Sequence, residues 1–199
     1  MRSVKVFAVV VLGALASVHC TPNFATATGA DVVLLMTGIN NGVPLQSDVR
    51  LSNGAVCADF VTLRLENHFI NPSLTNTGFR HDLTVFRYTV TYQRADGLNT
   101  PGVDIPFPIS GDLAEEVREE SDQTLPLEVV RLQAKLEPPL SNLAGLGGAQ
   151  VLTMFANITL YARTTTGATL NPVTGALQID FADFADTLTS CPAPPAGSQ

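Results

Sequence analysis

A chain of 199 residues that is 45% hydrophobic and 15% charged has enough apolar content for one packed domain and too much for a disordered one. Its formal charge of −7, made more negative by two if Arg2 and Lys5 leave with a leader, argues against a partner that carries a phosphate backbone. Beyond residues 1–20 no stretch is long and apolar enough to span a bilayer as a helix.

Residues 1–20 open with Arg2 and Lys5 and continue in the apolar run Val6 to Ala16. A basic start followed by a short apolar segment is the pattern of a secretory signal. Two readings of its end stay open. Ala14-Leu15-Ala16 is a small-x-small cleavage site. Alternatively, Cys20 closes the segment and resembles the lipid-bearing cysteine of bacterial lipoproteins, with Ser17 and His19 departing from that pattern. A lipid on Cys20 would anchor the chain by burying methylenes in a membrane. With Thr21 rather than Asp in the next position, the lipoprotein resemblance implies the outer membrane.

Residues 21–30 are rich in Thr and Ala and read as a tether. Asp31 to Ile39 is a continuous apolar run closed by Asn40-Asn41-Gly42, a first strand. A short strand follows over Gln46 to Leu51, then a turn at Ser52-Asn53-Gly54. Phe60 to Ile70 alternates, with Val61, Leu63, Leu65 and Phe69 on one face and Thr62, Arg64, Glu66 and His68 on the other. Asn67 is read as a loop-side position. The clearest pattern is Leu83 to Arg94, where Phe86, Tyr88, Val90 and Tyr92 alternate with Arg87, Thr89, Thr91 and Gln93. One apolar and one wet face require a second layer of structure over the apolar side.

After the turn signal Ala95-Asp96-Gly97, Val103 to Ser110 alternates but carries Pro106 and Pro108, which predicts an edge strand or an extended crossover. Gly111 to Gln123 is strongly charged; a turn or two of helix is open to it, although its apolar residues are too few for a stable amphipathic helix. Leu127 to Leu136 reads as a strand with Val130, Leu132, Ala134 and Leu136 inward and Arg131, Gln133 and Lys135 outward, ended by Pro138-Pro139. Leu140 to Gly148 is a loop or a short turn of helix, closed by Gly-rich chain. Val151 to Ala162 is a strand with Met154, Ala156, Ile158 and Leu160 inward. Its outer face carries Phe155 and Tyr161 among polar residues. A loop over Arg163 to Gly175 precedes a last strand containing Leu177, Ile179 and Phe181, and residues 189–199 form a flexible tail.

Seven to nine strands and no long helix predict an all-β, antiparallel β-sandwich over residues 31–188, with a closed barrel as the alternative. The strand spacing and the stretch Tyr88 to Gly97 (YTVTYQRADG) resemble the third strand of immunoglobulin or fibronectin type III modules. The resemblance implies a Greek key. The chain has no Trp, so Tyr88 or Tyr92 would take the place of the core Trp of immunoglobulin domains. In such a path Cys57 and Cys191 lie at one end of the sandwich, and in an oxidising compartment they are expected to pair. A bond closing so long a loop would contribute roughly 2–4 kcal/mol.

Candidate chemistry is sparse. His68 and His81 with Asp82 supply a zinc- or copper-type ligand set only if the intervening loop folds back, and a solvated pair of histidines is the expectation. Asp180, Asp183 and Asp186 recur every third residue and offer oxygen ligands to Ca²⁺, but they lack the Gly and bidentate Glu of an EF-hand loop. No G-x-S-x-G, H-E-x-x-H, P-loop or G-x-G-x-x-G pattern occurs, so neither a cofactor nor a catalytic set is expected.

What remains is surface. The loops 71–82 and 163–175 are expected at one end, offering Asn71, Arg80, His81 and Asn171 for binding. Phe155 and Tyr161 form a second candidate patch. The expectation is a non-catalytic, exported module of the bacterial envelope, in the outer membrane, the periplasm or secreted. It would act in adhesion, assembly or structural support, with an envelope protein or a glycan as partner and a membrane only through a lipid on Cys20. The alternative is a glycan- or calcium-binding module using the two loops.

Overall fold

The computed structural model describes residues 24–26, 31–71, 81–187 and 190–193. The expected signal, including Cys20, most of the tether, most of the tail, and Arg80 with the loop 72–80 lie outside the described residues. Nine strands run through the described chain: β1 (Phe24–Thr26), β2 (Val32–Ile39), β3 (Leu45–Asp48), β4 (Asp59–Phe69), β5 (Leu83–Gln93), β6 (Ile109–Val117), β7 (Ser121–Val130), β8 (Leu152–Thr164) and β9 (Val173–Ala182). They form two sheets, β1-β2-β4-β7 and β3-β9-β8-β5-β6. The fold is therefore all-β, as the alternation predicts. All neighbours are antiparallel except β3, which joins the edge of its sheet parallel to β9, with Leu45 opposite Ile179 and Asp48 opposite Ala182.

The inward positions of the two sheets make one core. Leu34, Leu63, Leu65, Leu125 and Leu127 from the first sheet are buried, as are Val90, Met154, Ile158, Leu160, Ile179 and Phe181 from the second. Full burial of each such side chain is worth roughly 1.5–3 kcal/mol, before chain entropy is set against it. Tyr92 joins the sheets directly: its hydroxyl donates to the Val129 carbonyl at 2.6 Å. Burial raises the Tyr92 phenol well above the ordinary value, so it stays a donor. Tyr88 lies under β6, where Gly111 leaves room for its ring; a Cβ at 111 would collide with it.

Six local expectations change. Residues 24–26 do not belong to a free tether but pair with β2, Phe24 opposite Leu35 and Thr26 opposite Val33. In β5 a bulge between Val85 and Arg87 resets the alternation. Leu83 and Val85 then point inward together with Tyr88, Val90 and Tyr92, and Phe86 moves to the outer face. Asn67 is fully buried; its amide donates to the carbonyls of His81 (2.8 Å) and Val117 (3.1 Å), closing the gap where β4, β5 and β6 meet.

The other three changes concern charged and proline-rich segments. Residues 103–108 are loop, because prolines at 106 and 108 cannot donate to a ladder, and the edge strand β6 starts only at Ile109. The charged run 111–123 then extends as β6 and β7, not as helix. An edge strand with one wet face accommodates Asp112, Glu115 and Glu116 while Val117 stays buried. Finally, β7 stops at Val130, the last residue opposite β4, and the chain makes one α-helical turn, α1 (Leu132–Lys135).

That turn inverts the expected faces. Lys135 is buried, whereas Leu132 and Leu136 are exposed. The disulfide Cys57–Cys191, linking residues 134 apart in sequence, ties the segment after β9 to the loop before β4.

Candidate functional site

Strands β5, β7 and β9 finish at the end of the sandwich where β4, β6 and β8 begin. The longest described connections, 94–108 and 131–151, lie there. Short-range hydrogen bonds give the first one its shape. Arg94 pairs with the Asp96 carboxylate and its backbone N–H donates to Asn99 Oδ1 at 2.7 Å. The hydrogen bond from Arg94 is the leading cause that holds the Asp96 carboxyl below its ordinary value. Asp104 accepts from the Thr100 N–H at 3.1 Å, and the Thr100 carbonyl accepts from Val103 and Asp104. Gly102, at φ +76°, leaves the space that the Phe107 ring fills. Ile105 is buried beneath the loop.

The second connection is pinned by charge. Lys135 Nζ lies 2.8 Å from Asp59 Oδ2 and 2.9 Å from Oδ1, and it donates to the Asp48 carbonyl at 2.8 Å. Ser47 Oγ donates to Asp59 Oδ2 at 2.6 Å. Burial pushes the Asp59 carboxyl up, and Lys135 and Ser47 pull it back. Ser47 and Lys135 both contact the Asp59 carboxylate, and these residue types are the parts of a nucleophilic centre, but here Ser47 is 0% and Lys135 3% exposed. The cluster instead locks α1 onto β3 and β4. Beside it, burial and the neighbouring Asp186 carboxyl raise Asp48. Asp186 in turn accepts from the Ser52 N–H at 2.9 Å.

Because the ammonium takes the inside of α1, its leucines face solvent. Ten large hydrophobic residues are exposed among the described residues, and seven lie on these two connections: Leu98, Val103, Phe107, Leu132, Leu136, Leu146 and Val151. Phe107 is 54% exposed and Leu136 52%. Between the loops runs a cleft of about 250 Å³, with Pro106 and Phe107 on one side and Arg131, Ala134, Glu137 and Pro138 on the other. Arg131 bridges it, donating to the Pro108 carbonyl at 2.9 Å. The apolar rim thus sits on loops braced by the Arg94–Asp96 and Lys135–Asp59 ion pairs.

At the opposite end the described Asp82 and Thr165 meet, the Asp82 carbonyl accepting from the Thr165 N–H at 3.0 Å. Asn171 is exposed there. Asn71 lies just beyond β4, and the His81 ring stacks edge-on against Phe69 with centroids 5.1 Å apart. The two histidines do not converge. His68 sits on the outer face of β4 between Glu66 (3.1 Å) and Glu120 (3.4 Å), whose hydrogen bonds, Glu66 first, raise it.

Asp180, Asp183 and Asp186 are engaged separately: by Thr153 and Gln178, by the Gly145 N–H, and by Ser52. Among the described residues no three His, Cys, Asp or Glu side chains form a metal-holding group. Phe155 and Tyr161 lie on the outer face of β8 as expected, Phe155 at 40% exposure and Tyr161 beside Phe86.

The apolar rim and the Ser47–Asp59–Lys135 cluster escape a reading based on alternation. The one available signal is the i, i+4 pair Leu132 and Leu136 around Lys135, which fits a helical turn as well as a strand. No protein-family model, curated protein or solved structure matches the chain.

Proposed function

We propose that this protein is an exported, non-catalytic β-sandwich module of the bacterial envelope, and that it holds a protein partner on the apolar rim of its loop end. The observation that carries the reading is the clustering of exposed Leu, Val and Phe side chains on the connections 94–108 and 131–151, around a braced cleft. A net negative chain does not favour an anionic bilayer as the occupant, which leaves a protein surface with apolar side chains.

Three further features support the module reading. The Cys57–Cys191 bond fits an oxidising compartment, as the signal-like start does. The sheet order β9-β8-β5-β6 matches the G-F-C-C′ order of immunoglobulin variable-type domains, with β4 and β7 neighbours in the facing sheet. Immunoglobulin-like sandwiches serve widely as cell-surface modules.

The test is site-specific photo-crosslinking in the native host, with a photoreactive phenylalanine at Phe107 or Leu136 and, as controls, at Glu115 and Gln178. Discrete adducts to an envelope protein at 107 and 136 alone are expected. Adducts absent there, or equally strong at the control positions, would overturn the reading. Fractionation of the same cells checks the compartment: a cytoplasmic, reduced protein is incompatible with it.

A further inference from the structure

The outer face of the five-stranded sheet carries a second arrangement that shares no residue with the loop end. Register places Asp112, Arg87 and Tyr161 in one row across β6, β5 and β8. The adjacent row runs Ser110, Thr89, Thr159 and Thr174 across four strands. Tyr88, Val90, Ile158 and Leu160 are buried between these positions, so the hydroxyl row points outward. Arg87 Nε lies 3.3 Å from Asp112 Oδ1 in solvent. A shallow depression of about 460 Å³ opens over Arg87, Thr89, Ser110, Gly111, Asp112 and Tyr161. The β5 bulge sets Phe86 beside Tyr161, centroids 6.5 Å apart and planes at 47°. Arg163 covers the Phe86 ring at 5.5 Å.

We propose that this depression is a binding site for a neutral oligosaccharide. A pyranose ring has an apolar C–H face and an edge of paired hydroxyls. Tyr161 supplies an aromatic surface for the first. The guanidinium of Arg87, the carboxylate of Asp112 and the Ser/Thr hydroxyls supply donors and acceptors for the second. A protein partner fits poorly, because no aliphatic side chain lines the depression and a docking interface needs a desolvated apolar centre. An anionic ligand fits no better: Arg87 is already paired with Asp112, Arg163 is spent on Phe86, and Glu115 and Glu116 line the same edge strand. The inference is independent of the partner assigned to the loop end.

The test is NMR titration of the full mature chain with four neutral hexasaccharides, cellohexaose, laminarihexaose, chitohexaose and maltohexaose, each to about 5 mM, the range in which weak single-site binding is measurable. Shift changes from at least one of them are expected at the amides of Arg87, Thr89, Ser110, Asp112 and Tyr161. Tyr161→Ala should weaken that affinity at least about tenfold, or 1.4 kcal/mol. Arg87→Ala, which removes an exposed side chain, should weaken it without disturbing the fold. Leu136→Asp, at the loop end, should leave it unchanged. No perturbation by any of the four, perturbations centred elsewhere, or an affinity indifferent to both Arg87→Ala and Tyr161→Ala would overturn the proposal.

Discussion

Lys135 and Asp59, separated by 76 residues, form a buried ion pair that decides how the chain leaves β7. The Lys135 side chain is 1% exposed and its ammonium is satisfied by two carboxylate oxygens and a carbonyl, so the helical turn α1 has a single stable facing. Replacing Lys135 by Met leaves Asp59 buried without its partner and should cost about 3–5 kcal/mol. Adding Asp59→Leu should return most of that loss, since an apolar pair of similar volume is tolerated where a half pair is not. Urea denaturation of the two single variants and the double variant measures this as a coupling energy. Additive losses would mean that the pair does not hold the turn.

Asn67 fills an otherwise apolar layer, and its amide is a fixed donor to two carbonyls. Asn67→Leu has the right size but leaves the His81 and Val117 carbonyls unsatisfied. It should destabilise the protein by about 1–3 kcal/mol. Amide exchange should rise first around 81–83 and 117, where those carbonyls join strands. A neutral result would place water at both carbonyls.

The His68 trio gives a pH dependence whose sign follows from the shifts. His68 is raised, so its contribution is complete below its unfolded value and is lost as pH rises through the higher folded value. Glu66 and Glu120 are lowered, chiefly by the His68 hydrogen bond and by the Phe69 N–H respectively. Their contributions are complete above the unfolded carboxyl value and are lost as pH falls through the folded one. The trio therefore stabilises most in the mildly acidic range between the two. NMR titration of His68 should give a midpoint above 6.5, its ordinary value, and Glu66→Gln should lower it. An unmoved midpoint in the variant contradicts the assignment.

The disulfide constrains the unfolded chain, because it links residues 134 apart. Cys57→Ser with Cys191→Ser should cost roughly 2–4 kcal/mol. The β-sheet circular dichroism signal should persist, because β9 keeps its full pairing with β8 and its contacts with β3. Loss of all β signal in the double variant would mean that the fold depends on the bond.

Much of the sandwich was legible because a half-buried strand writes a period of two into its own residues. β4, β5, β8 and β9 lie within a few residues of their expected limits for that reason. Most of the differences share one cause. Phe86, Asn67, Lys135 and the charged strand β6 each take a position set by a partner distant in sequence. At the candidate surfaces the same split holds. Tyr161 and Phe155 face outward as the alternation required, but nothing local to Leu132 or Leu136 says that a lysine will take the interior place beside them.

Composition and alternation alone thus determined an acidic, all-β, two-layered domain, whereas the pairing of Cys57 with Cys191 was implied by the immunoglobulin resemblance and the signal-like start. Tertiary structure decided which residues break the alternation, by a bulge in β5 and by a buried charge at the end of β7. The physical reason is that apolar burial is written locally, strand by strand. A buried ion or amide is tolerated only where its partner arrives from elsewhere in the chain, and that meeting exists only once both sheets have closed.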